Sequence, residues 1–387
     1  MLTETVETST IDVTQEPRKH KEEKYLFHPI VDFLCLGGGS LLLFVLLAIF
    51  IPLEAATPAA SVITLGLANL INHPHFAHSY QIFYQNFWQK IGKSNPSKSL
   101  RVRYIVAGLL VPTAVAGFFS TSIGMNDARM LSYGTNIMLF FVGWHYVKQG
   151  YGMLIVDSVL KRKFFIDSEK KILVVNAYTC WIFFWLLTNW TISEQNIWGL
   201  KSSAFSIPIW ILYSGGMVAM VTTVLTLSML RKKRFIERSP LPLNGLIAYF
   251  TSVYIWMALR LDPFFLFLVP VFHSLQYLVV VWRYQYNKTR FSPLNNPPQE
   301  TDKHDSSSTT LWRFVRFVAV GVALGYLGFW AIPQFLDSTI SYNQTVFGGT
   351  MFMFIFWIFI NIHHYFIDNV IWRRENPDTR RFLFGSS

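Results

Sequence analysis

Four stretches of this chain place imidazoles beside other polar side chains inside otherwise apolar sequence. They are Asn72-His73-Pro74-His75-Phe76-Ala77-His78, Trp144-His145-Tyr146-Val147-Lys148-Gln149, Phe272-His273-Ser274-Leu275-Gln276-Tyr277 and Asn361-Ile362-His363-His364-Tyr365-Phe366-Ile367-Asp368. Seven of the ten histidines lie in these stretches, and His20, His28 and His304 lie in polar sequence. Neutral imidazole is the commonest side-chain metal ligand near neutral pH. A set of imidazoles with nearby carboxylate and amide groups suits a first-row transition metal. One histidine in a membrane helix is more often a helix–helix hydrogen bonder than a ligand. Four stretches at a common depth favour a shared site.

The elements that carry them are membrane spans. The chain has 387 residues, 52% hydrophobic and 14% charged, where a soluble domain carries about 25% charged residues. Apolar runs of about 20 residues read as transmembrane helices. Ten are expected: 30–53, 58–84, 102–121, 130–157, 171–192, 205–230, 243–260, 263–283, 312–334 and 346–371. Only Arg260, Leu261 and Asp262 separate the seventh from the eighth. The expected fold class is therefore all-α, a polytopic helix bundle of about ten spans. A polar tail (1–29) precedes a membrane domain (30–372), and a basic tail (373–387) follows it. The segment 284–310, rich in Pro, Asn and Ser, reads as a flexible loop within that domain.

The basic residues set the orientation. Nearly all of the 33 lysines and arginines fall in the two tails and in alternate loops, whereas the opposite loops hold only Arg129, Lys201 and Arg260. Positive loops stay in the cytoplasm, so both termini are expected there. The net charge of +11 is then explained by topology and anionic lipid headgroups, without nucleic acid as a partner. No secretory signal peptide is seen at the start, and a bacterial inner membrane is the default location. Two cysteines, Cys35 and Cys180, exclude a disulfide framework. Walker, GxGxxG, GxSxG, HExxH and CxxC motifs are absent.

The four histidine-bearing spans all run in the same direction. His75, His145 and His363 stand about 15 to 17 residues from the outer ends of their spans, and His273 about 10, at about 1.5 Å per residue. His75, His145, His273 and His363 are the expected metal ligands, with His78 and His364 as supporting or substitute ligands. Asp368, Gln149 and Tyr277 are the catalytic candidates beside them. Asp368 lies one turn from His364 and can support an imidazole; its other reading is an interfacial partner of Arg373 or Arg374. Lys148 is expected to snorkel to the headgroups. Pro74 is expected to bend its helix.

The order of these patches resembles the Brp/Blh family, membrane-embedded bacterial β-carotene 15,15′-dioxygenases. The resembling residues are Pro74-His75, Trp144-His145-Tyr146, Val271-Phe272-His273-Ser274, and His363 with Asp368, about a tenth of the chain. The family carries a second histidine one turn into its third motif, where this chain has Tyr277. This chain also has extra histidines at 73, 78 and 364, and more spans. The resemblance implies a non-haem Fe(II) centre, O2 as co-substrate and a carotenoid-like or other membrane-dissolved lipid as substrate. Two other functions are open to the same residues. A di-iron acyl desaturase or hydroxylase needs HxxxH and HxxHH boxes, which the chain lacks. A proton-coupled transporter or haem-binding redox protein would use the histidines as relays or axial ligands.

Overall fold

The computed structural model describes residues 24–50, 62–63, 65–92, 97–191, 196–197, 200–201, 204–255, 265–291 and 305–384. These residues are almost all helical. α1 (Pro29–Phe33) and α2 (Gly39–Phe50) are joined by a π-turn, Leu34–Gly38. α3 (His73–Tyr84) follows a second π-turn, Ala68–Asn72, and a short α4 (Phe87–Ile91) leads on from it. α5 (Lys98–Gly124), α6 (Ala128–Leu160) and α7 (Asp167–Thr191) come next. A small antiparallel pair, Asn196–Ile197 with Leu200–Lys201, precedes α8 (Ile209–Ile236). The remaining helices are α9 (Leu243–Tyr254), α10 (Phe265–Phe291), α11 (Ser308–Thr339), α12 (Gln344–Phe347), α13 (Met351–Ile371) and α14 (Pro377–Phe384).

Five helices, α5, α7, α8, α11 and α13, are long and apolar enough to cross a bilayer, which supports a membrane location. They coincide with expected spans 102–121, 171–192, 205–230, 312–334 and 346–371. The other five expected spans are not in this group among the described residues. α6 has 33 residues but carries Arg129, His145, Lys148, Gln149 and Asp157. α3 continues a helical run that begins at residue 65, and the described part of α9 ends beside residues 256–264, which lie outside the described residues. The later part of α10 bears Arg283, Lys288 and Arg290. Parts of 30–53, 58–84, 243–260 and 263–283 lie outside the described residues, as do the tail before Lys24, residues 292–304 and the boundary at Arg260–Asp262. The two ends of the expected loop at 284–310, residues 284–291 and 305–310, are helical and extend the helices that flank it.

The expected C-terminal tail contains structure. Residues 377–384 form α14, whose Phe382 and Leu383 are buried. The Phe382 carbonyl accepts from Asn287 Nδ2 on α10 at 2.8 Å, and Thr379 Oγ1 donates to the Ile371 carbonyl at 2.6 Å.

α13 is the central helix. In its most apolar window 67% of residues are buried, against 17% for α8 and α11. Phe354, Ile358 and Ile362 pack with Phe76, Phe119 and Leu131 into the main apolar core. α13 contacts α3, α5 and α6. α11 lies along the outer side of α3, and α9 lies along α6. Asp337, near the end of α11, accepts from the backbone N–H groups of Phe352 at 2.8 Å and Met353 at 3.1 Å. That carboxylate satisfies amides that the start of a helix leaves unpaired.

Proline shapes three helices in one way. The π-turns Ala68–Asn72, Val106–Leu110 and Leu327–Ala331 each end two residues before a proline: Pro74, Pro112 and Pro333. Proline offers no N–H and its ring crowds the carbonyl four residues earlier. Widening the preceding turn relieves both effects. The bend expected at Pro74 takes this form, immediately before His75. Gly37, at φ 141°, turns the chain after α1 against α9, where a Cβ would meet Thr251 Oγ1 at 2.9 Å. The adjacent Leu36 carbonyl then accepts from Gln276 Nε2 of α10 at 2.7 Å.

Candidate metal centre

Four helices each deliver one imidazole to a common interior point: His75 from α3, His145 from α6, His273 from α10 and His364 from α13. All four are buried, as is Asp368. One donor atom from each of His75, His145, His364 and Asp368 can be chosen so that all lie within 4.8 Å of one another. The Asp368 Oδ2 atom stands 3.3 Å from His364 Nε2 and 4.0 Å from His145 Nε2. The His273 ring adjoins them, its centroid 4.9 Å from that of His145 and 5.3 Å from that of His75.

Neighbouring groups fix how these side chains point. His75 Nδ1 donates to Ser274 Oγ at 3.0 Å, and Ser274 donates onward to Asn72 Oδ1 at 2.8 Å. This leaves His75 Nε2, with its lone pair, facing the cluster. Asp368 Oδ1 lies 2.7 Å from Ser79 Oγ and 3.0 Å from Tyr277 Oη, and these two hydroxyls also touch, so their two protons are shared among the three oxygens. Oδ2 is thereby left for the cluster. Tyr365 stacks on His145 at 4.7 Å, and Tyr146 stacks on His273 at 3.6 Å. Gln149 Nε2 donates to the His273 carbonyl at 2.9 Å and to Gln276 Oε1 at 3.2 Å, so it braces α6 against α10.

The inward atoms are unsatisfied by protein. His75 Nε2, His145 Nε2, both ring nitrogens of His273, both of His364 and Asp368 Oδ2 are buried without a hydrogen-bond partner. Native interiors pair nearly all such groups, and each unpaired one costs about 1–3 kcal/mol. Their concentration at one point, with the far sides of His75 and Asp368 held by hydrogen bonds, matches how metal ligands are supported. The donor set fits a first-row metal.

The two adjacent histidines of α13 exchange the roles expected of them. His364, four residues before Asp368, shares its helix face and joins the cluster. His363 points elsewhere: its Nε2 donates to the Ala107 carbonyl at 3.0 Å, and its Nδ1 accepts from Tyr80 Oη at 2.9 Å. His78 also stands apart, with Nδ1 on Gln81 Oε1 at 2.9 Å and its ring stacked on Phe317 at 4.4 Å. His73 bonds Asn69 Oδ1 at 3.2 Å and stacks on Phe329 at 4.3 Å. Asp368 meets the histidines directly instead of Arg373, which pairs with Glu375 at 3.2 Å. Tyr277 and Gln149 lie around the cluster as hydrogen-bonding supports. The residues that sequence reading left unassigned are Ser79, Ser274 and Asn72; their one signal was adjacency to histidine-rich patches.

No protein-family model matches this chain, and neither a curated protein nor a solved structure does.

Proposed function

We propose that this cluster is a mononuclear non-haem iron centre and that the protein is an integral-membrane oxygenase acting on a lipophilic substrate. The convergence of His75, His145, His364 and Asp368 on one buried point supports it most. The order of the histidine patches, which resembles the Brp/Blh dioxygenases, agrees with it. His75, His145, His364 and Asp368 would hold the metal, with His273 at its edge. Iron, when bound, supplies the dioxygen chemistry that imidazole and carboxylate side chains lack.

The chain's own part is geometric and dielectric. Ser274 and Asn72 hold the His75 tautomer, and Ser79 and Tyr277 turn the carboxylate. Tyr146, Tyr365 and Phe76 close the site with aromatic surface and keep out water. A single four-donor group among the described residues favours one metal over the two of a desaturase. The distribution of basic residues supports cytoplasmic termini, and a bacterial inner membrane is the default location.

Metal analysis of the purified full-length protein tests this reading. About one equivalent of iron per chain is expected, and it is lost in His75→Ala and in His364→Ala. Iron below about half an equivalent that those substitutions leave unchanged would overturn it.

A further inference from the structure

A cavity of about 840 Å³ adjoins the cluster, with His145 and Asp368 in its wall. That volume is in the range of small-molecule sites, about 300–1,000 Å³. Its wall follows α6 from Trp144 to Val159, about 22 Å of helix. This exceeds the hydrocarbon depth of one bilayer leaflet, about 15 Å, so it has room for a full lipid chain. Met153, Val156, Val159, Phe164, Val280 and Leu383 give it a long apolar face.

The charged groups in the wall are unbalanced. Lys148, Lys170, Arg373, Arg374 and Arg380 face two carboxylates, Asp368 and Glu375. Asp368 belongs to the cluster, Glu375 pairs with Arg373, and Lys170 pairs with Asp167 at 3.0 Å. Lys148 lies in this wall. Its ammonium lies over Trp144 at 5.1 Å and rests on a neutral partner, the side-chain carbonyl of Asn369. Arg373 and Arg103 are close enough to repel it. Like charges held together at a partly buried site are costly unless an anion joins them. Lys148 is three residues beyond His145, about one helical turn along α6, and Arg373 lies just past the end of α13, five residues beyond Asp368.

We propose that the substrate is a single-chain anionic amphiphile. Its acidic group is held by Lys148 and Arg373, and its hydrocarbon chain lies on the apolar wall along α6. The proposal rests on reading the cluster as the reacting centre. It departs from a neutral carotenoid, because an uncharged polyene leaves Lys148 on its neutral partner Asn369 and adds no anion to the excess of cations in the wall.

Equilibrium binding to the full-length protein in zwitterionic nanodiscs tests it, with labelled palmitate competed by hexadecyl phosphate, hexadecanol or β-carotene. Palmitate or hexadecyl phosphate binds at least about tenfold more tightly than hexadecanol. The stronger of the two acids identifies a carboxylate or phosphate head. Lys148→Gln and Arg373→Gln each weaken the acid by about tenfold, and Lys148→Arg restores it. Lys288→Gln, whose parent lysine bonds Gln85 outside this wall, leaves it unchanged. Hexadecanol or β-carotene binding as tightly as the acids would overturn the proposal, as would unchanged acid affinity in both cation variants. Should Lys148→Gln fail to fold, Arg373→Gln and the headgroup comparison on the unaltered protein still decide. Iron content of the same samples separates the two readings. Headgroup selectivity without iron sinks the metal centre alone, and iron with headgroup-blind binding sinks this proposal alone.

Discussion

The two sides of α3 use the same residue type for different ends. On one side His75 points at the cluster, held by Ser274, with Ser79 beside it holding the Asp368 carboxylate. On the other side His73 and His78 lie flat on aromatic rings of α11 and its π-turn. That second side is close-packed. A Cβ at Gly321 would come within 2.2 Å of the His78 ring, and one at Gly325 within 2.9 Å of the His73 backbone. Histidine therefore acts as a candidate ligand on the first side and as a flat aromatic spacer on the second. All three rings hold Nδ1 on a side-chain oxygen; what separates them is the surroundings, other imidazoles and a carboxylate for His75 and aromatic rings for His73 and His78.

The largest expected effect breaks the comparison outright. His75→Ala abolishes iron binding, whereas His78→Ala retains the iron of the unaltered protein, read by elemental analysis. Equal iron loss in both would erase the distinction between the two sides. Next is Asp368→Asn, which keeps shape and removes charge; a fall in metal affinity of about 10–100-fold is expected in a chelator competition. On the packing side, Gly325→Leu forces α11 from α3 and costs about 1–3 kcal/mol, as overpacking does. A lowered melting temperature is the expected signature, with the folded fraction still binding iron but more weakly than the unaltered protein. The smallest effect is that of Ser274→Ala, which frees His75 Nδ1. About 1 kcal/mol of stability and about tenfold in metal affinity are expected to go.

Much of this was legible in the sequence, for reasons that also mark where reading stopped. The four patches announced themselves because imidazoles are costly inside apolar helices, and four of the seven histidines do meet. Choosing among neighbours was harder. His363 and His364 differ by about 100° around the helix, and His75 and His78 by about 60°. Those angles decide everything, yet sequence gives them no origin. The spacing of Asp368 from His364, four residues on one face, was the one internal clue, and the family pattern pointed to His363 instead. Hydropathy identified the apolar helices well. The histidine-bearing α3, α6 and α10 stand out less, because they trade apolar surface for polar side chains.

α11 offers no donor to the cluster, yet it touches both helices that matter there. Its glycine edge sets how near α3 can come, and the Asp337 carboxylate anchors the first turn of α13. The spacing between His75 and His364 is thus held partly by a strut on the periphery, outside the circle of ligands. A substitution on this outer helix can therefore loosen the grip on a metal without altering any group that touches it.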